Sequence, residues 1–215
     1  EGVSAGLNGL WGRGLLEFAE LSDWLGDAGR AEWARSVHAR LAAGFERLWD
    51  SGRGRYVDSY VEGTDRPMAS QHGQAAAIVG GVAPAERHDV LVQRLTDDDA
   101  LIYATFAVPD GPAGPGTNVA PGGDALRAGH PEPWWDTDRE LVRAQPFFRY
   151  VVHDALVAAG RSDLIVSQCR DWEQLLEICP TSWAETWFGG TVSHGWSSTP
   201  TRDLMARVLG VEPAT

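Results

Sequence analysis

The sequence predicts an all-α fold of about three helical hairpins with short β segments between them. Three observations predict it. Several stretches carry apolar residues at a 3–4 spacing, the mark of helices that bury one face. These stretches fall into pairs divided by short Gly-containing breaks, and such breaks between amphipathic helices make antiparallel hairpins. The pairs differ in sequence but recur at similar length, and each needs neighbours to bury its apolar face, as in toroids and solenoids.

Residues 4–25 read as the first helix, with Leu7, Leu10, Trp11, Gly14, Leu15, Phe18 and Leu25 on one face. Gly26-Asp27 breaks it. Residues 28–49 form its partner, with Trp33, Val37, Leu41, Phe45, Leu48 and Trp49 aligned. A loop over 50–55 leads to the alternating, β-prone Tyr56–Val61. Residues 68–80 and 84–96 make the second hairpin, with Pro84 placed for a first helical turn. Residues 108–139 are rich in Pro and Gly and read as a long loop, either a surface insertion or a lid ending at Glu132-Pro-Trp-Trp-Asp136. Residues 141–159 and 162–178 form the third hairpin, split at Gly160-Arg-Ser162, which suits a C-cap followed by an N-cap. A closing helix over 200–209 ends at Gly210.

A chain of 215 residues is one large domain or part of a bigger one, and 43% hydrophobic with 22% charged residues is ordinary globular composition. The net charge of -12 argues against nucleic acid and anionic membranes as partners, since both require basic patches. All 18 basic residues are Arg, which reads as coding bias. Cys169 and Cys179 lie on a predicted helix with Trp172 and Leu176, too far apart along it for a disulfide, and read as small core residues. The histidines show no metal-ligand spacing, and no cofactor motif is present. No targeting segment and no apolar run of transmembrane length is visible, which favours a cytoplasmic location. The chain starts abruptly on a helical pattern at Glu1, as a fragment would.

The densest chemistry lies between Thr181 and Pro200. Trp183, Trp187 and Trp196 surround one carboxylate, Glu185, and one imidazole, His194. Flat aromatic faces stack on the apolar faces of sugar rings, while a carboxylate and an imidazole handle hydroxyls and protons. The Trp183-Glu185-Trp187 alternation puts all three side chains on one side of an extended segment. The bland alternative is a buried aromatic loop with a surface Glu. For each Trp, core packing and ligand stacking both stand. Asp58, with Glu62, flanks the extended segment between two hairpins, where toroid sites collect polar groups. His72 opens a helix, where N-capping by Ser70 is the simpler account.

This region resembles the end of the catalytic domain of α-L-rhamnosidases of glycoside hydrolase family 78. The resemblance is carried by Thr181-Ser-Trp-Ala-Glu185, Ser193-His-Gly-Trp-Ser-Ser-Thr-Pro200 and Val208-Leu-Gly-Val-Glu-Pro213. It is strongest over 140–215 and extends more weakly to 1–96, through Leu25-Gly-Asp27, Leu48-Trp-Asp50 and Ser70-Gln-His72. It is absent over 108–139. The resemblance implies an (α/α)6 toroid, of which this chain supplies about half as a C-terminal portion spanning 1–215. It implies inverting hydrolysis of terminal α-L-rhamnosides, with Glu185 as general base and His194 touching the sugar. Trp183, Trp187, Trp196 and Asp58 then become candidate pocket walls. The residues present require no metal and no cofactor.

The partner acid departs from the family's pattern. Trp24-Leu-Gly-Asp27, with Glu20 before it, imitates the end of the acid motif, but Gly14 and Phe18 stand where an Asp and an Arg belong. The acid, with the rest of the catalytic domain, is therefore expected N-terminal to residue 1. Two rival readings remain: another six-hairpin glycosidase, acting on a fucoside, trehalose or an unsaturated uronide, or a truncated, non-catalytic carbohydrate-binding protein.

Overall fold

The computed structural model describes residues 3–60, 68–103 and 136–211. Among them helices dominate, joined by three two-stranded β pairs. The loop expected over 108–139 lies almost wholly outside the described residues, and so does Glu62.

The first hairpin pairs α1 (Ala5–Trp24) with α2 (Ala28–Phe45). Ser4 caps α1 by accepting from the Leu7 N–H, and Asp27 caps α2 by accepting from the Arg30 N–H. Gly26, at φ 75°, makes the turn between them. After α2 a 3-10 turn (Glu46–Leu48) leads to β2 (Trp49–Asp50), which pairs antiparallel with β3 (Arg55–Tyr56). That pairing ends α2 before residue 49. β1 (Val3–Ser4) pairs antiparallel with β4 (Ser59–Tyr60).

The second hairpin joins α3 (Gln71–Val79) to α4 (His88–Thr96). α3 is deeply enclosed; every residue from Gln71 to Ile78 except His72 is buried. Its small residues let α1 approach closely. A Cβ on Gly9 would stand 2.5 Å from the Ala76 carbonyl oxygen, and one on Gly80 would stand 2.2 Å from that of Gly9. Ala5 lies against Gly73, Gly6 against His72, Gly9 against Ala76 and Gly12 against Gly80, so α1 and α3 run parallel.

β5 (Leu101–Ile102) pairs parallel with β6 (Leu141–Val142), and Val142 also bridges Ser70. The helix expected from residue 141 therefore starts later. Residues 141–142 are strand, Pro146–Phe148 form a 3-10 turn, and α5 runs Arg149–Ala158. The side chains of Gln71 and Arg149, each the first residue of its helix, hydrogen-bond to each other. Val79 and Val157, near the other ends, line one cavity. Hence α1, α3 and α5 stand side by side and parallel, with their N-terminal ends together.

The return arm of the third hairpin is segmented. 3-10 turns at Ser162–Leu164 and Arg170–Trp172 alternate with α6 (Ile165–Cys169) and α7 (Glu173–Ile178). The shared face expected for Cys169, Trp172, Leu176 and Cys179 does not exist. Trp172 is buried, Leu176 is 47% exposed, and Cys179 is already extended, at φ -148°. Both cysteines are free. The chain closes with α8 (Thr199–Asp203) and a π turn over Leu204–Val208.

Apart from Leu15, the buried face of α1 is made of small residues. Ala5, Gly9, Gly12, Leu15, Ala19 and Ser22 are buried, whereas Leu7, Trp11, Phe18 and Leu25 are exposed. In α2 the buried residues are Ala31, Ala34 and Phe45, and Trp33 is exposed against Phe18. The main core lies instead between α3, α4 and α5, around Leu91, Leu95, Val151, Val152 and Leu156.

Candidate active site

The stretch from Thr181 to Ser198 folds as one loop against the segment 144–148 that leads into α5. Gly189 (φ 120°) and Gly190 (φ 78°) adopt backbone that side-chain-bearing residues avoid, and they let the chain reverse between Thr186 and Thr191. Thr186 and Gly189 form an antiparallel bridge, and the Glu185 N–H donates to the Thr191 carbonyl at 2.8 Å. The His194 N–H donates to the Trp183 carbonyl at 2.9 Å. Glu185 and His194 are thus carried on facing arms of one tight loop.

Two buried tryptophans bind this loop to the helices. Trp187 is 2% exposed; its Nε1 donates to the Ala144 carbonyl at 2.8 Å, and its backbone N–H donates to Gln145 Oε1 at 3.1 Å. Trp172 stands edge-on to Trp187 at 5.2 Å and donates its Nε1 proton to the Ser197 carbonyl at 2.7 Å. His194 faces the ring of Phe147 at 6.0 Å on one side and that of Trp196 at 6.0 Å on the other.

The sequence-expected residues divide accordingly. Glu185 is half-buried, and among the described residues no donor is recorded on its carboxylate. His194 Nε2 is buried and has no hydrogen-bond partner among the described residues. Trp196 is 72% exposed beside it, with its ring free to be covered. Trp183 is half-buried and packs on the cluster of Trp172, Leu175, Ala184 and Trp187. Trp187 stands apart from these: its indole is enclosed in that same cluster and hydrogen-bonded to the Ala144 carbonyl.

Asp58 reaches the same end of the helix layer, but as part of the frame. Its carbonyl accepts from the Ala5 N–H, and its Oδ1 accepts from both the N–H (3.0 Å) and the hydroxyl (2.7 Å) of Ser70. Burial pushes the Asp58 carboxyl up to about 6, outweighing the lowering effect of those two hydrogen bonds. Ser70 therefore donates to Asp58 rather than capping its own helix. His72, one turn away, packs on Phe148 at 4.3 Å between ring centres, and burial pulls it down to about 4. No recorded contact links Asp58 to Glu185 or His194.

Sequence reasoning missed what lies beneath the loop. Arg149 is fully buried there. It donates to Gln71 Oε1 (3.2 Å), Gln168 Oε1 (2.6 Å) and Asp171 Oδ2 (2.8 Å). His153, also buried, pairs through Nδ1 with Asp203 at 2.7 Å. The available signal was an Arg and a His on the apolar face of the 149–158 helix. Among the described residues no group of three or more His, Cys, Asp or Glu could hold a metal ion, and no helix is long and apolar enough to cross a membrane.

Comparison with known proteins adds the fold. The structure is similar to a family 78 rhamnosidase of Bacillus sp. GL1, at TM-score 0.70 and 20% identity, covering 100% of this chain and 20% of that one. It is also similar to a rhamnosidase from Klebsiella oxytoca with rhamnose bound, at TM-score 0.59 and 17% identity, covering 96% of this chain and 34% of that one. The chain has the fold of part of these rhamnosidases. It spans about a fifth to a third of their length. No family model and no curated protein sequence matches it.

Proposed function

We propose that this chain is the base-bearing part of an inverting glycosidase that hydrolyses terminal α-L-rhamnosides. The observation that carries the proposal is the single loop that presents half-buried Glu185 and the unpartnered His194 Nε2, within a fold shared with rhamnosidases. In this reading Glu185 takes a proton from a water as that water attacks the anomeric carbon. A second carboxyl group, roughly 6.5–9.5 Å away, protonates the departing oxygen. His194 hydrogen-bonds a sugar hydroxyl, Trp196 covers an apolar face of the ring, and Trp183 closes one side. Trp187 holds the loop from behind.

The acid belongs to a part of the protein beyond this chain. Glu20, the tempting candidate, lines a cavity with Val79, Asp154 and Val157, at the opposite end of the parallel helices from Glu185. That placement supports a partner acid other than Glu20. The exposed apolar face of α1 fits the same reading, since further helices of a toroid would cover it.

The test is turnover of an aryl α-L-rhamnoside by the intact protein that carries this chain. Glu185→Gln keeps the size and removes the base, and is expected to lower kcat by at least about 10²-fold. Wild-type-like turnover in that variant sinks the assignment. A panel of aryl fucosides, glucosides and uronides run beside it checks the sugar.

A further inference from the structure

The loop bearing Glu185 rests on a buried guanidinium. Arg149 lies beneath both tryptophans that anchor the loop, its charged carbon 5.9 Å from the Trp172 ring and 6.0 Å from the Trp187 ring. Three hydrogen bonds fix its orientation, one each to Gln71, Gln168 and Asp171. Gln71 Oε1 accepts from Arg149 and also from the Ala144 N–H at 2.8 Å. Ala144 in turn accepts the Trp187 indole proton. An unbroken path of contacts therefore runs from Arg149 through Gln71 and Ala144 to Trp187, two residues from Glu185.

Stability does not account for an Arg at this position. A buried ion pair is weak evidence for stability, because desolvation offsets the attraction and apolar replacements of similar size often fold as well. Burial pulls Arg149 down to about 10, yet leaves it charged at neutral pH, with Asp171 as its counter-charge. What a planar, five-donor cation provides and an apolar residue does not is fixed direction: in-plane donors to three acceptors, and faces for indole rings.

We propose that Arg149 is a positioning residue for Glu185, setting the loop through Trp172 and Trp187 without touching substrate. This rests on the reading of Glu185 as general base. The test compares Arg149→Met, Arg149→Lys and Gln145→Ala in the intact protein; the last variant cuts the Trp187 N–H bond from the other side. Amide exchange of the peptide over 183–194 is expected to speed up about tenfold in Arg149→Met, less in Arg149→Lys, while α1 stays unchanged. The kcat of Arg149→Met on an aryl α-L-rhamnoside is expected to fall by up to about 10²-fold with little change in KM, as for a misplaced catalytic group, and Arg149→Lys recovers part of it. Wild-type exchange and kcat in a folded Arg149→Met overturn the proposal. If that variant does not fold, wild-type loop exchange in both Arg149→Lys and Gln145→Ala overturns it instead. A wild-type protein without glycosidase turnover, whose loop still loosens in Arg149→Met, removes the base reading and leaves the clamp.

Discussion

Three tryptophans sit within fourteen residues of each other, and their surroundings assign them different work. Trp187 gives both its indole proton and its backbone proton to the 144–145 segment and is closed off from solvent. Trp196 stands open beside His194. Trp187→Ala should therefore cost about 3–5 kcal/mol of stability, as large aromatic truncations in cores do. Trp196→Ala should shift stability by less than about 0.5 kcal/mol, as at exposed positions, and should raise KM for the glycoside. Denaturant midpoints and steady-state kinetics on the pair check both expectations; a stability loss at Trp196 as large as that at Trp187 would contradict them. The sequence made the Trp residues conspicuous but did not rank them, because burial depends on what arrives from residues 144–149 and 172.

At the scale of one element, the N-terminal end of α3 holds two titratable groups, Asp58 and His72, each largely shielded from water, whose titrations oppose each other. Asp58 binds its proton up to about pH 6 in the fold against 3.8 normally, so its contribution to stability falls as pH rises from about 4 to 6. His72 refuses its proton down to about pH 4 in the fold against 6.5 normally, so its contribution falls as pH drops from 6.5 to about 4. Each displacement is worth roughly 3 kcal/mol, so the two nearly cancel in the native chain. Relative to wild type, Asp58→Asn should gain stability as pH rises from 4 to 6, and His72→Gln should gain it as pH falls from 6.5 to 4. Urea midpoints at pH 4, 5, 6 and 7 measure both; parallel curves for all three proteins would refute the opposition. The helix itself was legible from its small, apolar pattern. The burial of Asp58 was not, because it follows from strand β4 and the α1 terminus closing over it.

At the scale of the whole molecule, two edges stay apolar among the described residues. One is α1, with Leu7, Trp11 (53% exposed), Phe18 and Leu25. The other is the chain's closing segment, with Leu204, Met205, Val208 and Leu209. Contiguous apolar faces of this kind are association surfaces. The 215-residue chain expressed alone should self-associate, and Trp11→Glu with Phe18→Glu should shift it toward monomer in sedimentation velocity. A wild-type chain that is monomeric at high concentration would show that these faces are tolerated in water.

The sequence by itself determined the helical class, the hairpin breaks at Gly26, Gly80-Gly81 and Gly160, and the loop holding Glu185 and His194. These are local properties: apolar period, glycine conformations and residue chemistry within a few positions. Only the tertiary structure decided which face of each helix is inside. In α1 the close approach of α3 selects the Gly and Ala side and leaves Leu7, Trp11 and Phe18 outside. It also decided that Trp187 is buried, that Asp58 accepts from Ser70, and that Arg149 lies under the loop. Each of those depends on contacts between segments far apart in the chain, where geometry and desolvation override the preference of the residue.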